Sequence, residues 1–198
     1  MRVLTHYLLW SAGLARATTQ TTDAERACLG RHAAGRHRLA EVGVWHGVTT
    51  QVLRRAMAPD AILFAVDPYP VGRLWVSFQQ WIARREVARV PRGRVEWLRM
   101  TGAEAARHLA GNGLGPVDFA FIDGDHSYEG LRTDWEGWSP LVALGGVVAL
   151  HDSRSSAERQ IDDAGSARFT REVIRHDPRF EVVEEVDTLT VLRRTDRP

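Results

Sequence analysis

Two short stretches put acids and histidines where the chain otherwise runs apolar. Val117 to Tyr128 reads VDFAFIDGDHSY, an apolar run that breaks into Asp123-Gly124-Asp125-His126. Gly145-Gly-Val-Val-Ala-Leu likewise runs into His151-Asp152. Apolar runs of this length suit strands buried on both faces of a parallel sheet. Each would then deliver its acid and imidazole to the strand's carboxyl end, the edge at which open α/β sheets bind ligands. A carboxylate or imidazole there can take a proton from a hydroxyl.

A third motif bears on a cofactor. Glu41-x-Gly43-x-x-x-Gly47 lies where a strand turns into a helix. The glycines let backbone approach a ligand, and the helix N-terminus offers free N–H groups. The third glycine of the dinucleotide fingerprint is missing. A glutamate at the strand end would repel a pyrophosphate but suits an ammonium group, which points away from NAD and toward S-adenosylmethionine. Asp67 closes the next strand about twenty residues after Gly47, the offset at which such folds place an acid on ribose hydroxyls. Met100, Thr101 and Gly102 end a third strand, where they read either as an adenine contact or as an ordinary helix entry.

These residues need a scaffold, and the periodicity supplies one. Strands are expected at 39–45, 61–66, 95–100, 117–122 and 145–150. Helices are expected between them: 46–57, a stretch around Leu74, Trp75, Phe78, Trp81 and Ile82, then 103–109 and 128–144. Pro70 and Gly72 break the chain before the aromatic stripe, and Pro140 fits the last of these helices only as a kink or restart. Residues 153–165 read as irregular, with Arg154, Arg159, Asp162 and Asp163 as a candidate acceptor-side flap. Residues 167–176 read as a helix, and 180–186 with 189–193 as a closing hairpin turning at Asp187-Thr188. Strands alternating with helices predict a parallel α/β sheet with an antiparallel strand at the end. Before all this, 4–17 and 23–34 read as two helices, a cover over the sheet edge that is also a candidate lid or dimer contact. Thr21, Thr22 and Asp23 offer caps for the second. Trp135 and Trp138 read as packing. The stripe Trp75, Phe78 and Trp81 reads either as the core face of its helix or, at Trp75 and Phe78, as walls of an acceptor pocket.

The 198 residues suit a single domain with a sizeable core. A formal net charge of +1 gives no general attraction to nucleic acid. Every basic residue other than histidine is arginine, so no lysine is present as a base or Schiff-base former. Cys28 is alone, which rules out an intrachain disulfide and a cysteine zinc cluster. With no apolar run of spanning length, a reducing cytoplasm and no membrane partner are expected.

Taken together, Glu41-Val-Gly-Val-Trp-x-Gly47, Val66-Asp67-Pro68, the Phe121–Gly130 stretch and Gly145–Asp152 resemble small class I S-adenosylmethionine methyltransferases, closest to the macrocin O-methyltransferase group. The likeness runs from about residue 39 to 195. It implies a Rossmann-like, mostly parallel seven-stranded sheet with its last strand antiparallel and helices on both faces. It also implies O-methylation of a small-molecule hydroxyl, on a sugar or natural product. The cofactor shell would be Glu41, Gly43, Val44, Trp45, Gly47, Thr49, Asp67, Thr101 and Asp123. Asp125 or His126 would take the proton. Several relatives hold a divalent cation at the ends of the fourth and fifth strands, which carries over to Asp123 and Asp152 with His151. Here the first position of an expected acid pair is His151. Mg²⁺ prefers oxygen ligands, whereas a His-Asp pair suits Mn²⁺ better or no metal at all. A catalytically silent cofactor-binding partner subunit and an NAD-dependent dehydrogenase are the alternatives.

Overall fold

The computed structural model describes residues 3–71 and 75–196. Seven strands form one sheet: β1 (Arg38–Val42), β2 (Ile62–Val66), β3 (Arg94–Leu98), β4 (Val117–Ile122), β5 (Val142–Leu150), β6 (Phe180–Val186) and β7 (Leu189–Arg194). Their order is β3-β2-β1-β4-β5-β7-β6. All neighbouring pairs from β3 to β5 are parallel, and β7 runs antiparallel to both β5 and β6. The expected mostly parallel, seven-stranded Rossmann-like sheet is therefore what forms.

The central strands are apolar on both sides because both sides are covered. Alternate residues separate into two cores. Ala40, Val42, Phe64, Ala120 and Ile122 pack on one face with Trp135 and Trp138. Leu39, Leu63, Phe119 and Phe121 pack on the other with Leu53 and Met57. Burying each large side chain of this kind contributes about 1.5–3 kcal/mol. Trp135 and Trp138 are packing residues, as their spacing suggested.

The chain leaves β1 toward β2 on one side of the sheet, and β4 lies on β1's other side. The strand order thus reverses between β1 and β4, which opens a crevice at their carboxyl ends. Helices α3 (Val48–Ala56), α4 (Phe78–Ala88), α5 (Gly102–Gly111) and α6 (Tyr128–Trp138) are the crossovers, and α7 (Gly165–Glu172) precedes the hairpin. Helices α1 (Val3–Ser11) and α2 (Asp23–Ala33) come first in the chain. Thr22 and Glu25 form a reciprocal capping box on α2.

Several boundaries differ from the periodic reading: β1 stops at Val42 and β3 at Leu98, short of 45 and 100, and the helix expected at 167–176 is Gly165–Glu172 with a 3₁₀ turn, Ile174–His176, after it. The first helix ends at Ser11, and Gly13 follows with φ of 74°, a left-handed backbone that terminates helices. The helix from Tyr128 ends at Trp138. Pro140 sits in a 3₁₀ turn, Ser139–Leu141, and β5 starts at Val142 rather than at Gly145. Proline has no N–H to continue the helix. Gly145, at φ 73°, then takes up a register shift against β4. Gly72 and Leu74 lie outside the described residues. Trp75 precedes α4 and stands 85% exposed. No helix among the described residues is long and apolar enough to cross a membrane.

Candidate active site

A cavity of about 610 Å³ opens at the carboxyl ends of β1, β2 and β4. Its β1–β2 side is made largely from backbone held in place by one carboxylate. Asp67 accepts the Trp45 amide at 2.9 Å on one oxygen and the Tyr69 amide at 2.8 Å on the other. Trp45 and Tyr69 both adopt the left-handed region, at φ 48° and 42°, which costs a bulky residue energy that these bonds offset. The Tyr69 hydroxyl donates to the Trp45 carbonyl at 3.2 Å and ties the two turns together. Burial raises the Asp67 carboxyl above the usual aspartate range, and the donated amides oppose that rise. Each carboxylate oxygen keeps a second lone pair, the capacity a vicinal diol would use.

Gly43 makes the approach of β1 to β4 possible. Its φ is 92°, and a Cβ there would lie 1.9 Å from the Asp123 carbonyl oxygen. No side chain fits, so the β1 turn passes directly beside the end of β4. Glu41, one turn of the pleat earlier, is fully buried, and neither carboxylate oxygen has a hydrogen-bond partner. Burial pushes its carboxyl up to about 8, and the charges of Asp123 and Asp67 add to the rise.

The β4–β5 side is made of charged side chains. The Asp123 Oδ1 atom accepts a 2.8 Å bond from His151 Nδ1. The other His151 nitrogen stands 3.4 Å from Oε2 of Glu25, a residue of α2. Both side chains are essentially without solvent exposure. Glu25 is itself fixed by the Thr188 amide at 3.0 Å, the Thr188 hydroxyl at 2.8 Å and the Thr22 amide at 2.8 Å. Burial works against a charged His151, but the hydrogen bonds and charges of Asp123 and Glu25, with Asp152 adding, outweigh it and raise the imidazole to about 10. In Glu25, burial again opposes the charge, and His151, Thr22 and Thr188 prevail and lower the carboxyl to about 2. Asp152 has φ of 48° and pairs with Arg159 at 2.7 Å.

His126 sits at the mouth, its side chain 38% exposed. Its two nitrogens lie 3.6 Å from Asp123 Oδ1 and 3.8 Å from Asp152 Oδ2. Asp125 turns the other way and accepts the Ser127 amide at 2.9 Å, while the Ser127 hydroxyl caps α6. Of the two expected proton acceptors, His126 faces the acidic cluster and Asp125 braces the turn that presents it. Side-chain atoms of Asp123, His126 and His151 come within 4.8 Å of one another, the spread of a metal-ligand set.

The cavity brings together Gly43, Trp45, Asp67, Thr101, Asp123, Asp125 and His126 among the residues singled out from sequence. Glu41, Val44, Gly47, Thr49, His151 and Asp152 do not line it. Val44 packs against Ala65, Tyr69 and Ala83. Gly47 begins α3 with φ of 76°, and a Cβ there would strike Val87. The Thr49 hydroxyl is buried against Thr21 at 3.4 Å. Those three support the turn from beneath. Of the two readings of the aromatic stripe, the packing face holds for Phe78 and Trp81, which pack on Tyr7 of α1 with ring centroids 5.0 and 5.6 Å away; neither they nor Trp75 reach the cavity. In the irregular stretch, Arg159 folds back onto Asp152, and Arg154 donates to the Asp187 carbonyl at the hairpin turn.

Two acids escaped the sequence reading. Glu25 lies three residues after the cap Thr22, and that threonine–glutamate spacing was the one signal that could have marked it. Asp134 lines the cavity from α6, seated between Gly102 and Gly124. Burial and the nearby Asp125 charge raise it to about 6, with the Ala103 amide opposing. Its place on the inner face of α6 was a periodicity signal, but the mutual approach of α5 and α6 was not.

The fold has solved counterparts. An O-methyltransferase, TomG, from Streptomyces achromogenes, involved in tomaymycin synthesis and solved with S-adenosylmethionine, is 16% identical at a TM-score of 0.67, covering 98% of this chain and 90% of its own. An O-methyltransferase from Bacillus cereus, solved with S-adenosylhomocysteine, is 17% identical at 0.62, covering 98% and 91%. An rRNA methylase from Streptococcus thermophilus is 12% identical at 0.59, covering 90% and 100%. Residues 40–153 match the family model described as a methyltransferase domain. That match spans more than half of the chain and takes in the strand ends that build the cavity, so the chain belongs to the methyltransferase-domain family.

Proposed function

We propose that the chain uses S-adenosylmethionine to methylate a hydroxyl of a small molecule. The observation that carries the reading is one cavity holding Asp67 at one end and Asp123 with His126 at the other. Its volume of about 610 Å³ is within the range of pockets that enclose cofactor-sized ligands. The residues fit the cofactor: a carboxylate with free lone pairs for ribose hydroxyls, a close backbone at Gly43, and Thr101 with Asp134 toward the adenine side. Two of the solved counterparts are O-methyltransferases, which supports a hydroxyl acceptor.

The cofactor, when bound, supplies an electrophilic methyl on a sulfonium. Everything else is the work of the chain. A hydroxyl acceptor seated at the mouth must lose its proton as its oxygen bonds the methyl carbon and the carbon–sulfur bond breaks. His126 takes that proton and becomes an imidazolium between Asp123 and Asp152, which stabilise it. The products are the methyl ether, S-adenosylhomocysteine and a protonated His126. Walls that hold the oxygen in line with the leaving sulfur supply the remainder of the rate through positioning.

Calorimetric titration with S-adenosylhomocysteine, and in parallel NAD, tests the reading. Micromolar binding of S-adenosylhomocysteine alone is expected, weakened about tenfold to hundredfold in Asp67→Ala by loss of charge-assisted hydrogen bonds. Binding of NAD in its place would overturn the assignment. Methyl transfer from labelled cofactor to a panel of sugars and phenols then identifies the acceptor, and its absence with every acceptor class would favour a silent partner subunit.

A further inference from the structure

A second group of side chains among the described residues has the spread of a metal-ligand set: Cys28, His32 and Glu184. None of the three lines the cavity. Cys28 and His32 lie four residues apart on α2, so both project from one face of the helix. Glu184 comes from β6, the edge strand of the sheet, just past the irregularity between Val182 and Glu184. A bulge of that kind re-aims the side chain that follows it. One ligand atom from each residue lies within 4.8 Å of the other two. His32 Nε2 is 2.8 Å from Glu184 Oε2, and Arg31 occupies the other carboxylate oxygen. Cys28 is fully buried, whereas His32 and Glu184 are partly exposed, so solvent reaches the group from their side. A single cysteine excludes a cluster of cysteines but not a mixed set of sulfur, nitrogen and oxygen.

We propose that Cys28, His32 and Glu184 form a zinc site, apart from the cavity, that fastens α2 to β6. Zinc takes thiolate, imidazole and carboxylate together, whereas Mg²⁺ and Ca²⁺ take oxygen ligands. A tetrahedral zinc spaces such atoms about 3.4–3.6 Å apart, so small side-chain rotations convert the observed group into a ligand set. The thiol gives up its proton on coordination. The thiolate and the carboxylate then balance the 2+ charge, and Arg31 keeps Glu184 pointed at α2. Three protein donors leave the fourth position to water on the partly exposed side. Glu25, which holds His151, lies three residues before Cys28 on the same helix, so an ion here would also steady the helix that carries it. The inference does not rest on the methyltransferase reading.

The test uses the full chain, stripped of metal with a chelator and then titrated with Zn²⁺ by calorimetry and with Co²⁺ by absorption spectroscopy. Co²⁺ should produce a sulfur-to-metal charge-transfer band in the near ultraviolet, which a thiolate ligand gives and the Asp123–His126–His151 set cannot. Zn²⁺ should bind with micromolar or tighter affinity and displace that band. Cys28→Ser should abolish the band, and Glu184→Gln should weaken Zn²⁺ binding by at least about tenfold. Zn²⁺ at about a hundredfold its dissociation constant should raise the Tm of the unsubstituted chain by about 5–10 °C. The Tm of Cys28→Ser should gain less. Metal binding without the band, or no binding at all, would overturn the proposal. Should Cys28→Ser fail to fold, His32→Asn at the partly exposed position decides: a band and affinity equal to those of the unsubstituted chain would equally overturn it.

Discussion

The two ends of the cavity are built on opposite plans. At the β1–β2 end the ligand-facing groups are mainly backbone, and a single carboxylate, Asp67, holds two left-handed turns in place. At the β4–β5 end the groups are side chains, and they form a chain of alternating charge from Glu25 through His151 and Asp123, with Asp152 and Arg159 beside it. The first end is local: Gly43, Trp45 and Asp67 lie within one strand–helix–strand unit. The second end draws on α2, β4, β5 and the segment after it, separated by more than a hundred residues of sequence. The contrast teaches that backbone geometry can be specified by glycine and aspartate at short range, whereas a buried charge must be balanced by whatever segment the fold brings against it.

That comparison can be broken first at the charged end. Glu25→Ala removes one partner of a buried ion pair, leaving His151 with Asp123 alone and the Thr188 donors without their acceptor. Loss of a partner in such a setting costs about 3–5 kcal/mol. Denaturant unfolding should show that loss, while S-adenosylhomocysteine affinity stays unchanged in the folded fraction because Glu25 does not line the cavity. A parallel fall in affinity would mean that the two ends are one unit.

A smaller effect on stability and a larger one on binding are expected at the other end. Gly43→Ala puts a methyl 1.9 Å from the Asp123 carbonyl and forces the turn away from β4. The overpacking should cost about 1–3 kcal/mol in a thermal melt, and calorimetry should show weakened cofactor binding. Unchanged affinity would show that the backbone approach at Gly43 is not used by the ligand.

The smallest change is a slope. His151 is raised to about 10 from an ordinary value of 6.5, so its stabilisation is complete below about 6.5 and is lost as pH rises through about 10. Glu41, raised to about 8 from 4.5, works in the same direction between those values, because the unfolded carboxyl gives up its proton first. Stability should therefore decline as pH rises across the neutral and mildly alkaline range, by up to about 1.4 kcal/mol per pH unit for each proton involved. His151→Gln should flatten the decline above pH 8, and Glu41→Gln should flatten it below. A wild-type profile that is level from pH 7 to 10 would contradict the charged clamp.

Much of the fold could be read before any coordinates. The period-two and apolar runs marked all seven strands, and the Asp187-Thr188 turn marked the hairpin. Asp67 and Gly43 were visible because a turn residue and a ribose-binding acid sit at set offsets from a strand. The aromatic stripe stayed open between a packing face and a pocket wall because helical spacing shows that residues share a face without showing what that face meets. Phe78 and Trp81 meet Tyr7 of α1, not the cavity. Val44, Gly47 and Thr49 misled for a related reason: motif membership placed them at the turn, but Val44 packs against Ala65 and Tyr69, Gly47 caps α3, and the Thr49 hydroxyl is buried against Thr21.

By itself, then, the sequence determined the sheet, the edge at which chemistry takes place and the acids and histidines delivered there, because all of these follow from local periodicity and turn chemistry. Only the tertiary structure decided the state of those groups. Glu25 reaches His151 because α2 packs beside the β6–β7 turn, where Thr188 holds it. Arg159 reaches Asp152 because the segment after β5 folds back. A charge acts across space at the distance the fold sets, and no spacing along the chain encodes that distance.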